Sequence, residues 1–256
     1  WYFSYNGGIV KKVKPHIYFE TERWAVRKHA PVRPAREFIP KAWADMDVHT
    51  KKCPFPLDSD KTIKACPGIG DYMGLGYVIP AWCDIEIAPT SDGQHTEVRY
   101  SDPSYQHSFH PSEQLSDQLL PQYKVRSAVK LDNPWKMYAP PGWSLLYQPM
   151  WYFEGRNYDA IPGIIDHDLG ALVNPINIML KEIKPTSIKM GEPLVQVIPI
   201  KREKIVARTG DMRETTANRH SAILGLRNLI FGGWIRWQHE KKNYIVEAHD
   251  LDLPGD

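Results

Sequence analysis

Short apolar stretches, separated by proline, glycine and aspartate, run through the middle of the chain. Alternation of apolar and polar positions over about 4–8 residues is typical of a β-strand with one buried face. This pattern predicts strands at 77–87, 96–100, 124–131, 135–139, 143–148, 160–165, 172–180 and 194–200. Short strands at regular spacing predict a mainly β fold, a β-clip or jelly-roll-like barrel.

Turn and helix signals surround these strands. An Asn-Gly-Gly turn at 6–8 predicts a hairpin, because these residues tolerate a positive φ. Five prolines within 21–60 limit the helices there to short ones. Apolar residues at helical spacing predict helices at 111–120 and 212–230. We therefore expect one structural unit with three parts: an irregular arm packed on the core at 1–70, a β-domain at 71–202, and a C-terminal helix and strand extension at 203–256.

Composition excludes some classes of function. The net charge of +2 over 256 residues gives no argument for a general nucleic-acid or membrane-surface binder. No apolar run approaches the ~18 residues that cross a bilayer, and no signal peptide is visible. The three cysteines form no Cys-x-x-Cys pattern, which favours reduced thiols. We expect a cytoplasmic protein, located in the host cytoplasm or the virion if a phage encodes it.

The stretch from 140 to 202 carries the strongest chemical signal. Its motifs are PPGW at 140–143, GIIDHDL at 163–169 and GEPLVQV at 191–197. Asp166 follows an apolar strand and could hold and activate a water molecule. Gln196 can donate and accept hydrogen bonds at once. The alternative is that these residues only build the β fold, with the aspartate bonding turn amides.

These motifs, with AWCDI at 81–85, resemble the dUTPase and dCTP-deaminase superfamily in order and spacing over residues 78–200. The resemblance implies a homo-oligomer, a trimer in that family, with nucleotide sites between subunits. For a nucleotide hydrolase it implies Mg²⁺, with catalytic roles for Asp166, Asp168 and Gln196. The residues that it implies for ligand binding are Trp143, Gly163, Ile165, Leu169 and Gly191.

The chain departs from the family where phosphate and sugar are bound. Met150 and Trp151 stand where the family has an arginine and a serine, Leu169 replaces a tyrosine, and Pro193 replaces an arginine. A triphosphate needs cations or amide donors at such positions. The chain also resembles phage and bacterial proteins that share the PPGW, GIIDHD and GEPLVQVIP pattern and have no assigned activity. These features favour a dUTPase-like scaffold that binds a small-molecule or nucleotide-like ligand, or assembles, over an active dUTPase.

Two further signals suggest other functions. Histidines at His107, His110 and His167 could hold Fe or Zn in a metal-dependent β-barrel enzyme. The spacing of His107 and His110 suits a helical turn better than a strand, and the pattern favours isolated surface or core histidines over a metal site. The basic and aromatic segment at 234–242 has the composition of a single-strand nucleic-acid site. An acidic residue interrupts it, so we expect a half-buried strand there and no nucleic-acid partner.

Overall fold

A computed structural model describes residues 15–50, 61–115, 121–170 and 172–206. The chain divides into two compact units, Trp1–Arg202 and Glu203–Asp256, and every element below belongs to the first unit. The expected hairpin turn at 6–8, the helix at 212–230 and the segment at 234–242 lie outside the described residues. No helix within these described ranges is long and apolar enough to span a membrane.

Strands far outnumber helices. Among the described residues, the three α-helices are α1 Trp24–His29, α2 Lys41–Asp45 and α3 Pro67–Met73. The strands are β1 Tyr18–Glu20, β2 Arg33–Pro34, β3 Tyr77–Pro80, β4 Ile85–Pro89, β5 Thr96–Tyr100, β6 His107–His110, β7 Ala128–Leu131, β8 Lys136–Tyr138, β9 Trp143–Gln148, β10 Tyr158–Ala160, β11 Gly163–Ile165, β12 Leu172–Val173, β13 Ile176–Leu180, β14 Thr186–Ile188 and β15 Pro193–Lys201. Short 3-10 helices lie at Ala35–Phe38, Ile63–Ala65 and Ser112–Gln114. The predicted mainly β fold is confirmed.

The strands form four sheets in which all neighbours are antiparallel. The orders are β1-β8-β12, β10-β13-β7-β6, β11-β9-β15-β3-β2 and β14-β4-β5. Within the part of the chain that the structure describes, each sheet has two free edges, so none closes on itself as a barrel does. The three parts expected from the sequence stay a prediction, although β1 and β2 of the expected arm pair with β8 and β3.

One main hydrophobic core draws residues from all four sheets. It includes Ile85 of β4, Leu131 of β7, Met137 of β8 and Leu145 of β9, all fully buried. The five-stranded sheet is covered on its other face too, where Val78 packs with Phe38 and Met150. Successive residues of β3 alternate between the two clusters, because side chains along a strand point to opposite faces. The middle of this sheet is therefore buried on both sides, and only its strand ends and edges meet solvent.

Most strand predictions are confirmed, and prolines explain the breaks within them. The stretches predicted at 160–165 and 172–180 each form two strands, interrupted at Pro162 and Pro175. Proline has no N–H to donate to a neighbouring strand. The stretch at 77–87 is also divided, because Ala81 exchanges backbone hydrogen bonds with Gly191 and Glu192 and the chain passes there into another sheet.

The structure adds one helix that the sequence did not predict and corrects two local predictions. The segment Pro67–Met73 reads as turn residues in the sequence but forms α3, which begins with proline at its first position. The predicted helix at 111–120 is only a 3-10 turn over Ser112–Gln114, with Leu115 already extended and 116–120 outside the described residues. His107–His110 is a strand and not a helical turn. The short helices expected in 21–60 are confirmed, since α1 has 6 residues and α2 has 5.

Candidate functional site

Asp166 contacts Arg202 at the place where β15 ends and the antiparallel strand β9 begins. The Asp166 Oδ1 atom accepts a hydrogen bond from the Ser144 hydroxyl at 2.6 Å and lies 2.8 Å from Arg202 Nη1. Ser144 is the second paired residue of β9, and its partner in β15 is Ile200, two residues before the arginine. The register of this strand pair therefore brings the three side chains together.

Asp168 holds the other side of the same arginine. Its Oδ2 atom pairs with Arg202 Nη2 and accepts the Gly142 N–H at 2.7 Å. The Asp168 side chain is only 6% exposed, whereas that of Asp166 is 45% exposed. Arg202 also donates to the Ser144 hydroxyl at 3.0 Å and to the Trp143 carbonyl at 3.3 Å. We call Ser144, Asp166, Asp168 and Arg202 the arginine cluster.

The arginine cluster keeps both carboxylates ionised. The hydrogen bond from Ser144 and then the charge of Arg202 lower the pKa of Asp166. Arg202 and then the Gly142 amide lower the pKa of Asp168. A carboxylate with a lowered pKa is a weaker proton acceptor, so this arrangement stabilises charge more than it prepares a general base. The Oδ2 atom of Asp166 makes no hydrogen bond to any residue that the structure describes, and it faces the surface.

His167 lies beneath the arginine cluster and faces the core. It is 1% exposed, and its Nε2 atom lies 2.9 Å from the Tyr147 hydroxyl, which in turn contacts Met137 Sδ at 3.2 Å. Burial lowers the pKa of His167, and the main chain of Met137 and the charge of Asp166 oppose this shift only partly. In the turn after β11, the histidine therefore points into the core, while the two aspartates on either side of it reach Arg202.

The buried histidine predicts loss of stability in mild acid. Because folding lowers its pKa, the unfolded chain binds a proton more readily, so stability should fall as pH drops through the unfolded value of about 6.5 and keep falling until the folded value is reached. Within that window one such group changes the free energy of unfolding by up to about 1.4 kcal/mol per pH unit. Urea unfolding between pH 7.5 and 4.5 measures the slope, and His167→Gln should flatten it. An unchanged slope in His167→Gln would assign the acid sensitivity to another group.

Gln196 lies far from the aspartates. It is fully buried in the middle of β15, six residues before Arg202, which is about 20 Å at the usual rise of a strand. Its Nε2 atom donates to the carbonyls of Tyr72 at 2.9 Å and Leu75 at 2.7 Å, and its Oε1 atom accepts from Tyr152 at 3.3 Å. These bonds fasten the end of α3 to the sheet and use both amide protons.

The residues predicted to bind a ligand lie at several places. Trp143, Ile165 and Gly163 lie along β9 and β11, with Ile165 packed on the main core and Gly163 exposed. Leu169 is 78% exposed beside the aspartates. Gly191 has a φ of +84° and precedes β15, so the nine-residue strand, about 30 Å long, separates it from Arg202. The structure thus brings Trp143, Asp166, Asp168 and Leu169 to one end of β15, while Gln196 and Gly191 lie elsewhere.

The histidines named for a metal site lie in different surroundings. In β6, His107 contacts the ring of Phe109 and His110 bonds Gln114 at 2.7 Å. Side chains three positions apart on a strand point to opposite faces, and His167 belongs to another region of the core. Among the described residues, no group of three or more His, Cys, Asp or Glu side chains could hold a metal ion.

Three residues of the site were absent from the sequence-based predictions. Arg202 and Ser144 complete the arginine cluster, and Tyr147 holds His167. The available signals were a polar residue within an apolar strand, for Ser144, and a basic residue directly after the last strand, for Arg202. Neither signal predicts which carboxylates these residues contact, because the contacts depend on how the strands pair.

Comparisons with known proteins find similar structures. No protein-family model matches the chain, and no curated protein matches it. The chain is similar to a dUTPase from phage phi11 of S. aureus, with 10% sequence identity and a TM-score of 0.30, over 72% of this chain and 97% of that one. It is also similar to a mutant dUTPase of Staphylococcus bacteriophage 80alpha with dUpNHpp, with 12% identity and a TM-score of 0.30, over 66% of this chain and 88% of that one. A TM-score this low assigns no function.

Proposed function

We propose that this chain is a phage-type or bacterial protein that uses a dUTPase-like β scaffold to bind a ligand or to assemble, without hydrolysing a nucleotide. The observation that carries the proposal is that Asp166 and Asp168 both form ion pairs with Arg202. Both carboxylates are committed to one cation, and Asp166 also accepts the hydroxyl of Ser144. A carboxylate held in this way stabilises a strand end and accepts protons weakly.

The residue at position 150 supports the same proposal. Met150, where the resemblance implies an arginine for phosphate, is 4% exposed and packs against Phe38 and Val78. This position belongs to the hydrophobic core and offers nothing to a phosphate. The remaining cation at the candidate site, Arg202, is already neutralised by two carboxylates.

Self-association belongs to this proposal. The β11 strand is an edge of the five-stranded sheet, and it exposes 60% of Ile164. Leu169, in the turn after β11, is 78% exposed. An edge strand with exposed apolar side chains can pair with another copy of the chain. A homo-oligomer, and a trimer as in the family that the motifs resemble, would cover this edge.

A nucleotide-processing hydrolase is the second candidate. One observation favours it: the Asp166 Oδ2 atom is solvent-facing and makes no hydrogen bond to a described residue, so it could hold a water molecule beside Arg202. In this reading Asp166 acts as the base that activates water, and Mg²⁺ accompanies the phosphates.

Turnover of dUTP separates the two candidates. We expect no pyrophosphate above the buffer control when the wild type is incubated with dUTP and Mg²⁺, and the same result for Asp166→Asn. An active dUTPase run in parallel shows that the assay works. The non-hydrolytic proposal is wrong if the wild type releases pyrophosphate, Asp166→Asn abolishes the release, and the variant still unfolds cooperatively near the wild-type midpoint.

A further inference from the structure

Arg156 lies in the connection between β9 and β10 and stacks on aromatic rings. Its guanidinium carbon lies 4.0 Å from the centre of the Phe153 ring and 5.4 Å from that of Tyr158. Guanidinium groups stack well on aromatic faces, and stacking leaves the N–H groups at the rim of the plane available to a ligand. The side chain is partly buried by these contacts.

The guanidinium of Arg156 has no polar partner among the residues that the structure describes. It makes no hydrogen bond to them, and no carboxylate of theirs lies within 4.0 Å of it. Asp159, which is near in sequence, pairs with Lys181 at 3.1 Å and accepts the Tyr123 hydroxyl at 3.2 Å. Burial lowers the pKa of Arg156, and the charges around it, Glu192 among them, compensate only in part. A partly buried cation without hydrogen bonds is costly and needs an explanation.

A second unpaired group lies beside it. Tyr158 is 4% exposed, and its hydroxyl is buried without a hydrogen-bond partner among the described residues. Burial raises the pKa of Tyr158 to about 12, so the hydroxyl stays protonated and can donate. Buried hydroxyl groups without a partner are uncommon in folded proteins.

The backbone around these two groups is firmly held. Asn157, between them in sequence, donates to the carbonyls of Glu182 at 3.2 Å and Lys184 at 3.0 Å, and to the Thr186 hydroxyl at 2.9 Å. It also accepts the Glu182 N–H at 2.8 Å. The two amide hydrogens shared among these three acceptors, together with the accepted N–H, fix this turn before any ligand arrives, which lowers the entropic cost of binding.

An exposed aromatic surface continues from Arg156. Phe153 contacts Tyr152, whose ring lies edge-on to Trp151 at 5.7 Å. Trp151 is 56% exposed and is also stacked near Tyr72 at 6.4 Å, with 29° between the ring planes. The rings of Tyr152 and Phe153 thus connect the exposed indole of Trp151 to Arg156, and a large aromatic side chain left in water offers a stacking surface to a planar ligand.

We propose that Arg156, Tyr158 and Trp151 form a binding site for an aromatic oxyanion, a small molecule that carries a phosphate or carboxylate on or near a planar ring. The fork of guanidinium N–H groups matches the geometry of either oxyanion. The Tyr158 hydroxyl supplies one further donor, and the indole of Trp151 stacks with the ring of the ligand. The site deepens the proposed binding role and lies apart from the arginine cluster, since Trp151 is close to the Gln148 end of β9 and the cluster is at its Trp143 end.

Binding measurements with three probes test the site. Adenosine monophosphate and benzoate represent the phosphate and carboxylate sources of the oxyanion, and inorganic phosphate lacks the ring. We expect at least one aromatic probe to saturate the wild type in calorimetric titration, at least tenfold more tightly than inorganic phosphate does. Arg156→Gln should weaken that binding at least tenfold, because it removes the charge-assisted hydrogen bonds. Trp151→Ala should weaken binding of the aromatic probe and leave binding of inorganic phosphate unchanged.

Tyr158→Phe separates a binding role from a structural one. Removing an unpaired buried hydroxyl should leave the unfolding midpoint of the free protein unchanged or higher, while binding of the aromatic probe weakens several-fold. Arg99→Gln is the matched control, because it removes the same charge from an exposed site on β5 where the arginine pairs with Glu97 at 3.4 Å. Arg156→Lys keeps the charge and most of the stem, and it replaces Arg156→Gln if that variant does not fold.

The proposal fails if neither aromatic probe saturates the wild type, or if Arg156→Gln, or Arg156→Lys in its place, binds as well as the wild type does. It fails equally if Arg99→Gln loses as much affinity as the Arg156 variant. These outcomes differ from failure of the proposed function, because release of pyrophosphate that depends on Asp166 would contradict the non-hydrolytic role and leave binding at Arg156 unaffected.

Discussion

Replacing Gln196 with alanine should lower the free energy of unfolding by about 3–5 kcal/mol, the largest effect that we expect from one polar residue of this chain. The side chain is fully buried, and its Nε2 atom donates to the carbonyls of Tyr72 and Leu75 at 2.9 and 2.7 Å. Alanine removes the side-chain donor of both carbonyls, of which that of Tyr72 keeps the Leu75 N–H at 3.1 Å, and opens a cavity between α3 and the five-stranded sheet. Urea unfolding at pH 7.5 measures the change.

Gln148 provides a matched control for this substitution. It is the residue of β9 directly opposite Gln196, it is only partly buried, and its side chain makes no hydrogen bond to the residues that the structure describes. Gln148→Ala should therefore cost less than about 1 kcal/mol. Equal losses from the two substitutions would show that strand pairing, and not the bonds to α3, gives Gln196 its importance. If Gln196→Ala instead unfolds like the wild type, its assignment as a structural residue is wrong.

Replacing Arg202 with methionine should lower the unfolding midpoint by several degrees at neutral pH. The reason is the 6% exposed carboxylate of Asp168, which would lose its cation and remain in a poorly hydrated position next to Asp166. Asp168→Asn in the Arg202→Met background should restore part of the loss, because it removes the unpaired charge. The two substitutions are therefore expected to be strongly non-additive. Thermal unfolding of both single variants and the double variant measures this coupling.

The decrease in the free energy of unfolding at acidic pH offers a second measurement on Arg202→Met. The folded protein lowers the pKa of both Asp166 and Asp168, so their contribution to stability is present above the unfolded value of about 3.9 and disappears as pH falls through the folded values. Without Arg202 the two pKa values should rise, so the methionine variant should lose less stability than the wild type over this range. This window begins at a lower pH than the one expected for His167.

Lys189→Met is the control for the arginine cluster. Lys189 pairs with Asp84 at 3.0 Å, but both side chains are well exposed, 58% and 40%. Exposed ion pairs contribute little to stability in water. We expect a clearly smaller shift of the midpoint than for Arg202→Met. Similar shifts from both variants would mean that burial of Asp168 does not decide the effect.

The sequence predicted the positions of individual strands and gave no prediction of their partners. The segment 143–148 is confirmed as β9 with the predicted bounds, because alternation and a flanking Pro-Gly turn are local signals. The prolines at 162 and 175 were visible, yet their consequence, two strands in place of one, was missed. The helix α3 was missed because its glycines suggest turns. In the structure its C-terminal end is held by hydrogen bonds from Gln196, which is more than a hundred residues away in sequence.

The candidate site follows the same division. Asp166 was identified from the apolar strand that it follows and Asp168 through the family resemblance, and the structure places them side by side on Arg202. Gln196 was grouped with them from motif order, but strand length puts it about 20 Å away. Arg156 drew no attention in the sequence, since a single arginine after a glycine has no pattern. Its interest comes from what surrounds it: two rings, a buried hydroxyl and no partner among the described residues.

By itself, the sequence determined that this protein is mainly β, roughly where the predicted strands lie, and which acidic residues follow the apolar strand at 163–165. These properties depend on neighbours along the chain, through alternation, φ preferences and the missing N–H of proline. Only the tertiary structure decided that Arg202 neutralises both aspartates, that Met150 and Gln196 are core residues, and that Arg156 is left without a polar partner among the described residues. Those outcomes depend on strand register and burial, which bring together side chains that the sequence keeps far apart.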